Sequence, residues 1–203
     1  MQVQLTNKSV QLTNGSSVHY YPRIPANLML NKTEFWELWD LHPEEHSTIK
    51  IYNIEKKIPR WNQAYGLSYT FSGTTAKSKV IPKMLEKYLD WANTSKYGPG
   101  FNMILVNWYA NGTHYIGYHS DDERQLVEDS PILCFSFGAQ RTFCLKNKKT
   151  KVVQKFELCD NSLIVMVGSC QKTHKHSLPV RKKVKTPRIS ITLRKFKTRD
   201  SNT

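Results

Sequence analysis

The second half of the chain is a succession of short β-prone segments, and this pattern constrains the fold more than any other feature. Each segment is rich in β-branched, aromatic or other apolar residues, and short turn-like stretches separate them. Six such segments suggest a β-sandwich or jelly roll. The predicted strands cover residues 101–109, 132–137, 141–146, 152–158, 163–167 and 188–194.

Two helices are predicted ahead of most of these strands. Asn31 followed by Glu34 has the spacing of a capping box, and an amphipathic segment follows. Pro82 suits the first turn of a second helix, because apolar residues recur from Ile81 to Ala92 at intervals of three and four. This order fits an α+β architecture with helices packed on one sheet. We expect an N-terminal extension with a short helix over residues 1–50, packed on a core domain of residues 51–197, and a polar tail over residues 198–203.

Charge and composition narrow the class of partner. The 203-residue chain carries a formal net charge of +14, and a hydrophobic fraction of 39% suffices for one sizeable core but hardly for two. From Lys172 to Arg199 there are eleven lysines and arginines and no acidic residue. Such a field favours a polyanionic partner, with nucleic acid as the leading candidate, although a basic face can also serve solubility alone.

Cysteine pattern and hydropathy bear on the cellular setting. The four cysteines form no C-x-x-C pair, and three of them lie in apolar, strand-like runs, which predicts buried free thiols. No apolar run approaches the length of a membrane span, and the first ten residues lack a signal-peptide core. We therefore expect a soluble intracellular protein without a membrane partner.

His119 and Asp121 are the first candidates for chemistry. They lie two residues apart, so on an extended segment both side chains point the same way and can bind one ion. His176 is a candidate third ligand, predicted to lie in a polar loop between two strands. Two histidines and one carboxylate form the facial triad that leaves coordination positions of iron open. The pair alone is common by chance, so its context must decide.

Two arginines on the last predicted strand supply that context. Arg188 and Arg194 are six residues apart, so they share one face of the strand with Ser190 and Thr192. Inward guanidinium groups are unfavourable unless anions pair with them. A dicarboxylate such as 2-oxoglutarate offers one carboxylate for each arginine.

Asn107 and Tyr109 follow the same logic on the strand predicted over residues 101–109. They share a face, and their amide and phenol groups can hydrogen-bond the same cosubstrate. Asn107 interrupts an apolar run, where an unpaired amide would be unfavourable. A ligand role is therefore favoured over the alternative that all four are ordinary surface residues.

These residues fall within a set of motifs by which the chain resembles the AlkB family of nucleic-acid dealkylases. The resemblance runs from about Ile51 to Lys195, and chance cannot plausibly produce its order and spacing. The matching segments are Pro59-Arg60, Tyr65-Gly66, Tyr69-Thr70-Phe71-Ser72-Gly73, Phe101-Asn102 with Asn107 and Tyr109, His119-Ser120-Asp121-Asp122-Glu123, Ser136-Phe137-Gly138-Ala139, His176-Ser177-Leu178-Pro179, and Pro187-Arg188 through Arg194.

The resemblance implies an Fe(II)- and 2-oxoglutarate-dependent dioxygenase with a double-stranded β-helix, a jelly-roll variant. It implies that iron is bound by His119, Asp121 and His176. It also implies that O2 is a further cosubstrate. The residues that it implies as 2-oxoglutarate contacts are Asn107, Tyr109, Arg188, Ser190 and Arg194. Ser190 departs from the family, which usually has Asn two residues after the first arginine, and we expect its shorter side chain to reach the cosubstrate only through water.

The resemblance also implies how an alkylated base would be held. Alkylation at N1 of adenine or N3 of cytosine makes the ring positive, so carboxylates and a stacking aromatic side chain would prefer the lesion to a normal base. Tyr69 and the acidic pair Asp122 and Glu123 match the family's base-holding residues, although such a pair can also form a solvated turn. Further implied substrate contacts are Arg60, Phe71 and Ser72.

Two segments point to different nucleic acids. Residues 177–184 resemble the matching segment of the relative that is specialised for duplex DNA. In that relative a basic loop meets the strand opposite the lesion, and the corresponding residues here are Arg181, Lys182 and Lys183. That relative also inserts an apolar wedge, for which this chain offers Tyr52, although Tyr52 can equally be a strand aromatic packed on the core. Residues 119–123 are closer to the relative that prefers single strands and also acts on RNA.

Alkylated DNA, preferably duplex, is therefore the expected partner, with RNA as the alternative and formaldehyde as the released product. Two other classes stay open: an AlkB-like enzyme acting on protein or lipid, and a catalytically silent nucleic-acid-binding module. We expect a monomer, located in the nucleus if the source is eukaryotic.

Overall fold

The structure is a computed structural model that describes residues 7–12, 15–51, 54–71 and 74–198, with the side chains of residues 50, 51, 69–71 and 74–76 left out. The first part of the chain forms β1 (Lys8–Gln11), β2 (Ser17–Tyr21), a 3-10 turn (Ala26–Leu28) and α1 (Lys32–Trp39). Short strands follow: β3 (Thr48–Ile51), β4 (Ile54–Lys57), β5 (Trp61–Tyr65), β6 (Tyr69–Phe71), β7 (Thr74–Ala76) and β8 (Ser78–Lys79).

Helix α2 (Lys83–Thr94) separates these strands from the longer ones. The remaining elements are β9 (Met103–Tyr109), β10 (Ile116–His119), β11 (Ile132–Gly138), β12 (Arg141–Asn147), β13 (Val153–Leu158), β14 (Ser162–Val167), the one-turn α3 (Cys170–Thr173), β15 (His174–Leu178) and β16 (Arg188–Arg194). All six strands predicted from sequence are therefore confirmed.

Two sheets form the body of the protein. The large sheet has eight strands in the order β1-β2-β14-β11-β16-β9-β5-β8, and the small sheet has four in the order β10-β15-β12-β13. Their described pairs are antiparallel except for β5 with β8. Val18 and Met166 of the large sheet share one apolar cluster with Phe143 and Phe156 of the small sheet. The two sheets thus pack face to face, which confirms the predicted jelly roll.

The alternation of side chains along β16 explains how one strand serves two environments. Ile189, Ile191 and Leu193 pack into the apolar cluster that includes Leu85 and Tyr88 of α2. The intervening residues point to the opposite face, because side chains alternate along a strand. The helices thereby cover the outer face of the large sheet, and the inward face of β16 remains for polar groups.

Both predicted helices are confirmed. Asn31 Oδ1 accepts from the Glu34 N–H at 3.0 Å and Glu34 Oε2 accepts from the Asn31 N–H at 2.8 Å, which completes the capping box of α1. In α2, Leu85, Tyr88 and Ala92 are buried on one stripe. Pro82 stands one residue before α2 as its N-cap instead of within the first turn.

The prediction that His176 lies in a loop is wrong, because His176 belongs to β15. The sequence of this strand, His-Lys-His-Ser-Leu, lacks the β-branched and aromatic residues that signal a strand. It is held by pairing with β10 and β12 on its two sides, a long-range contact that local propensity does not contain.

The N-terminal segment contributes strands as well as the predicted helix. Strand β2 pairs with β14 over five residue pairs, and β1 pairs with β2. Strands β1 and β2 therefore extend the large sheet itself. The segment after β2 also supplies Leu38, whose carbonyl accepts from Trp108 Nε1 at 2.9 Å.

The cysteines are free thiols, as predicted: three are buried and Cys159 is partly exposed. Within the described ranges, no helix is long and apolar enough to cross a membrane.

Candidate functional site

The pairing of β10 with β15 brings His119 and His176 together. Their Cα atoms are direct partners in the antiparallel register. Asp121 follows two residues after His119, and its Oδ1 lies 3.5 Å from His119 Nε2 and 3.9 Å from His176 Nε2. One donor atom from each of the three side chains lies within 4.8 Å of the others. The structure thus assembles the predicted triad at one edge of the small sheet.

Neighbouring groups hold each member of the triad. His119 Nδ1 lies 2.9 Å from the Gly117 carbonyl, which leaves Nε2 to face the other two residues. The ring of Phe143 stacks on His176 with centroids 5.4 Å apart and an interplanar angle of 18°. The backbone N–H of Asp121 donates to Gln171 Oε1 at 2.9 Å. Three different elements therefore fix the orientation of the donor atoms.

Burial and charge set the protonation of the triad. Burial alone would raise the pKa of Asp121, but Arg194, followed by His119 and His176, outweighs it and holds that pKa well below its usual range. Burial, followed by the charge of His119, lowers the pKa of His176 to about 3. The carboxylate is therefore ionised and the His176 imidazole neutral near neutral pH, which are the forms that bind a metal.

The donor set fits iron. Two imidazole nitrogens and one carboxylate oxygen are the ligands of a non-haem Fe(II) facial triad, and they leave coordination positions open. His119, Asp121 and His176 would hold the ion, and Phe143 and Gln171 would hold the ligands in place.

The pairing of β16 with β9 aligns the predicted cosubstrate residues. Arg188 is the Cα partner of Tyr109, and Ser190 is the partner of Asn107. All four are buried. They line a cavity between the two sheets, which we call the inner cavity and which the triad also borders.

Arg188 is buried without a carboxylate partner among the described residues. It is 2% exposed, its Nε donates to Ser136 Oγ at 2.9 Å, and its guanidinium carbon lies 5.1 Å from the centroid of the Tyr109 ring. A buried guanidinium with only neutral partners is unfavourable. This cation therefore offers a site for an anion entering the inner cavity.

Arg194, in contrast, has carboxylate partners within the protein. Its Nη2 lies 2.7 Å from Asp121 Oδ1 and its Nη1 lies 3.0 Å from Glu123 Oε1. Burial raises the pKa of Glu123, and Arg194 opposes that effect. The premise that an inward arginine requires an external anion therefore holds for Arg188 but not for Arg194.

Asn107 and Ser190 also have partners inside the protein. Asn107 Oδ1 accepts from Arg60 Nε at 2.8 Å, and Ser190 Oγ lies 3.3 Å from Cys134 Sγ. Arg60 is buried, and its Nη1 donates to the Tyr115 carbonyl at 3.3 Å. The predicted substrate residue Arg60 is thus joined directly to the predicted cosubstrate residue Asn107.

A groove of about 940 Å³ opens from the triad to the surface. His119, Asp121 and Arg194 border both this groove and the inner cavity. Its walls also contain the predicted substrate residues Arg60, Asp122 and Glu123, together with Lys56, Lys57 and Arg124. Acidic and basic side chains therefore line one space beside the triad.

Some of the residues predicted to contact the substrate lie outside the described part of the structure. Tyr52 and Ser72 lie outside the described residues. Tyr69 and Phe71 form β6, and their side chains lie outside the description as well.

A family model described as "2OG-Fe(II) oxygenase superfamily" matches residues 26–194 of this chain. The chain belongs to this superfamily. The triad, the residues that line the inner cavity and the strands from β3 to β16 lie within the matched residues, whereas β1 and β2 precede them.

This chain resembles the AlkB family, as its named relatives confirm. It is 37% identical over 159 residues to the DNA oxidative demethylase ALKBH2 of Homo sapiens, a match covering 73% of this chain and 60% of that protein. It is 28% identical over 220 residues to the protein of the same name from Arabidopsis thaliana, covering 93% of this chain and 69% of that protein. The Alpha-ketoglutarate-dependent dioxygenase alkB homolog 3 of Homo sapiens is 32% identical over 152 residues, covering 70% and 53%.

The match to human ALKBH2 spans three fifths of that relative's length, 60%. The solved structure of OsALKBH1 superposes on this chain with a TM-score of 0.57 at 14% identity, covering 93% of this chain and 100% of that chain. The two proteins therefore share a fold.

The predicted basic loop of this superfamily member lies on the surface, between β15 and β16. Arg181, Lys182 and Lys183 are exposed. Arg181 also donates from Nη2 to Thr142 Oγ1 at 3.2 Å, and Thr142 Oγ1 donates to Glu157 Oε1 at 2.8 Å. One of the three basic side chains is thus already oriented by the protein.

Ser136, Phe143 and Gln171 support the site but were given no site role from sequence, although Ser136 lies in one of the segments that resemble the AlkB family. Ser136 had a signal: it interrupts the apolar run of β11 on the same face as Cys134, as Asn107 does in β9. Phe143 and Gln171 had none, because a core aromatic and a polar residue before β15 are ordinary in sequence.

Proposed function

We propose that this chain is an Fe(II)- and 2-oxoglutarate-dependent dioxygenase that removes alkyl groups from damaged bases of DNA. One observation carries the proposal. The triad of His119, Asp121 and His176 and the buried cation Arg188 line one cavity, and this cavity shares lining residues with a groove that has acidic and basic walls. The relatives named DNA oxidative demethylase support the choice of DNA.

In this proposal His119, Asp121 and His176 bind Fe(II), and Arg188 pairs with one carboxylate of 2-oxoglutarate. Tyr109 and Asn107 lie beside Arg188 in the same cavity, where a phenol and an amide can hydrogen-bond the cosubstrate. Iron with 2-oxoglutarate and O2 supplies the oxidation that hydroxylates the alkyl carbon, after which formaldehyde leaves. The protein contributes coordination geometry and a fixed place for the base.

The damaged base would lie in the groove beside Asp122 and Glu123. Glu123 Oε1 accepts from Arg194, while its buried Oε2 has no hydrogen-bond partner within the described residues. A cationic alkylated ring with an exocyclic amino group offers a charge and a donor to such an oxygen. The lysines and arginines of the same groove suit the phosphates on either side. These features support a preference for alkylated over normal bases.

Duplex DNA is the substrate that we propose. The exposed basic loop of Arg181, Lys182 and Lys183 suits a second strand, and its likeness to the duplex-specific relative supports that role. Residues 119–123 favour single strands or RNA as the alternative. We also propose a monomer, since a net charge of +14 opposes self-association, and a nuclear location if the source is eukaryotic.

A formaldehyde-release assay tests the proposal. The protein with Fe(II), 2-oxoglutarate and O2 is offered 1-methyladenine or 3-methylcytosine in duplex DNA, in single-stranded DNA and in RNA, and a methylated peptide. We expect release from the nucleic acids, highest with the duplex, and none when 2-oxoglutarate is omitted. Release from the peptide alone would support the protein-modifying class. Nucleic-acid binding without turnover of any substrate would support a silent binding module.

A further inference from the structure

Arg141 is a buried cation that no carboxylate in the described part of the chain neutralises. It begins β12 and is 1% exposed. Its hydrogen bonds run to main-chain carbonyls alone among the described residues. Burial, followed by the charge of Arg188, lowers its pKa to about 10, so it remains charged at neutral pH in an unfavourable place. A long apolar side chain would fill the same space at lower cost in desolvation.

The carbonyls that Arg141 binds belong to two separate loops. Nη1 donates to the Asn111 carbonyl at 3.2 Å, and Nη2 donates to the carbonyls of His114 at 2.9 Å and Pro179 at 2.8 Å. Asn111 and His114 lie in the β9–β10 loop, which we define as residues 110–115. Pro179 begins the β15–β16 loop, residues 179–187, which contains the exposed basic residues. One buried guanidinium therefore joins the two loops.

Gly112, which is also buried, joins the same two loops through its backbone. Its N–H donates to the Val184 carbonyl at 2.9 Å, and its carbonyl accepts from the Arg181 N–H at 2.7 Å. A Cβ atom at Gly112 would lie 1.7 Å from the Arg181 carbonyl oxygen. The loops are in such close contact that only glycine fits between them. The basic loop is therefore docked in one position on the β9–β10 loop.

Arg141 also contacts the cosubstrate side of the site. Its guanidinium carbon lies 5.9 Å from the centroid of the Tyr109 ring, and that of Arg188 lies 5.1 Å from the same ring. Both distances are within the range of cation–π interactions. Tyr109 also pairs with Arg188 in the sheet. The interactions of Arg141 thus run from the base of the basic loop to the wall of the inner cavity.

We infer that Arg141 is a positioning residue that holds the basic nucleic-acid-binding loop and the Tyr109–Arg188 wall of the cosubstrate cavity in one arrangement. The inference rests on the proposed function for the ligands at its two ends. It predicts a double effect of a single buried residue. Loss of Arg141 weakens the binding of both DNA and 2-oxoglutarate, although its side chain touches neither.

Two binding measurements test this without turnover. Anisotropy of a fluorescent duplex oligonucleotide, with no metal added, reports DNA affinity, and calorimetry of 2-oxoglutarate with the Mn(II)-loaded protein reports cosubstrate affinity. For Arg141→Met we expect a loss of about tenfold in each, the effect of a charged hydrogen bond. Arg141→Lys keeps the charge but one ammonium cannot reach both loops as a planar guanidinium does, so both losses should be smaller but present.

Matched variants separate positioning from general damage. Arg181→Ala changes the basic loop alone and should weaken DNA binding with 2-oxoglutarate affinity unchanged. Ser136→Ala removes the partner of Arg188 Nε and should weaken 2-oxoglutarate binding alone. Gly112→Ala forces the two loops apart and should lower DNA affinity with Arg141 still present. It also provides a test if Arg141→Met fails to fold.

The inference is overturned if folded Arg141 variants lose affinity for only one ligand or for neither, or if Gly112→Ala binds the duplex like the wild type. Failure of the proposed function looks different: the wild-type protein would release no formaldehyde from any methylated nucleic acid. The two binding measurements would still report the effect of Arg141 in that case.

Discussion

At the scale of single residues, burial decides which charged groups can take part in chemistry. Asp121 and Arg188 are both almost fully buried, yet their partners differ. Asp121 has Arg194 at 2.7 Å and two histidines nearby, so it stays an ionised carboxylate. Arg188 has a hydroxyl and an aromatic ring. The first arrangement suits a cation ligand, and the second suits an anion that comes from outside.

Replacing a triad residue should abolish turnover and leave the fold. We expect His119→Ala, Asp121→Ala and His176→Ala to release no formaldehyde and to lose bound iron, because each removes one of three ligands. Thermal melting and metal content check the two effects. His174→Ala is the matched control, since His174 lies on the same strand as His176 but bonds to Thr173 and Asn147. Wild-type turnover by any triad variant would refute the assignment.

Arg188→Ala should raise the 2-oxoglutarate concentration needed for half-maximal turnover. Loss of a charged hydrogen-bonding group that faces a carboxylate costs about 1.5–3 kcal/mol, or roughly 10- to 100-fold in affinity. A titration of 2-oxoglutarate at fixed iron and substrate measures the shift. The requirement for methylated DNA should stay within about twofold of the wild type, because Arg188 lines the inner cavity and is not among the described residues that line the groove. An unchanged 2-oxoglutarate requirement would mean that Arg188 serves another purpose.

At the scale of elements, register places residues that are distant in sequence. The β10–β15 register aligns His119 with His176, and the β9–β16 register aligns Tyr109 with Arg188. A shift of one residue in either pair would turn the polar side chains away from the inner cavity. The apolar residues between them, such as Ile189 and Trp108, secure the register because they must face the helices.

The basic loop should act as an element with an electrostatic role. Replacing Arg181, Lys182 and Lys183 together with alanine should weaken binding to all sequences and reduce the salt dependence, by about 0.9 in slope for each phosphate that the loop no longer neutralises. Anisotropy titrations across a range of salt concentrations measure both. Alanine at Lys8, Lys32 and Lys83 is the control, because it removes the same charge from exposed positions outside the groove. Equal effects of the two triple variants would mean that the loop contributes to DNA binding only through its share of the net charge.

Tyr52 tests whether the segment between β3 and β4 acts as a wedge. Flipping a base from a duplex costs a few kcal/mol, and an inserted aromatic side chain offsets part of it by stacking in the gap. Tyr52→Ala should therefore slow repair of a lesion in duplex DNA much more than repair of the same lesion in a single strand. Tyr52→Phe, which keeps the ring, should retain the duplex activity. Equal losses on both substrates would rule out the wedge and weaken the preference for duplex DNA.

At the scale of the whole molecule, the N-terminal strands complete the large sheet. Val18 of β2 is fully buried at 0% exposure and packs with residues from both sheets. The contact joins residues near the start of the chain to β14, far along it. The stability of the jelly roll therefore depends on a segment that carries no residue of the site.

Val18→Ala should destabilise the protein as a whole. Removing two buried methyl groups costs about 1–2 kcal/mol, which lowers the melting temperature by about 2–8 °C for a domain of this size. Differential scanning calorimetry measures the change. Val152→Ala is the matched control because Val152 is 63% exposed, and its melting temperature should stay within about 1 °C. If both variants melt alike, β2 does not contribute to the cooperative unit.

The sequence by itself determined six of the strands, the two helices and the three residues of the candidate triad, because these depend on local alternation, on capping residues and on ordered motifs. The tertiary structure alone decided that His176 lies on a strand, that Arg194 pairs with Asp121 and Glu123, and that β2 extends the large sheet. It also joined Arg141 to two loops. Each of these rests on contacts between residues far apart in the chain, and local propensity carries no record of such partners.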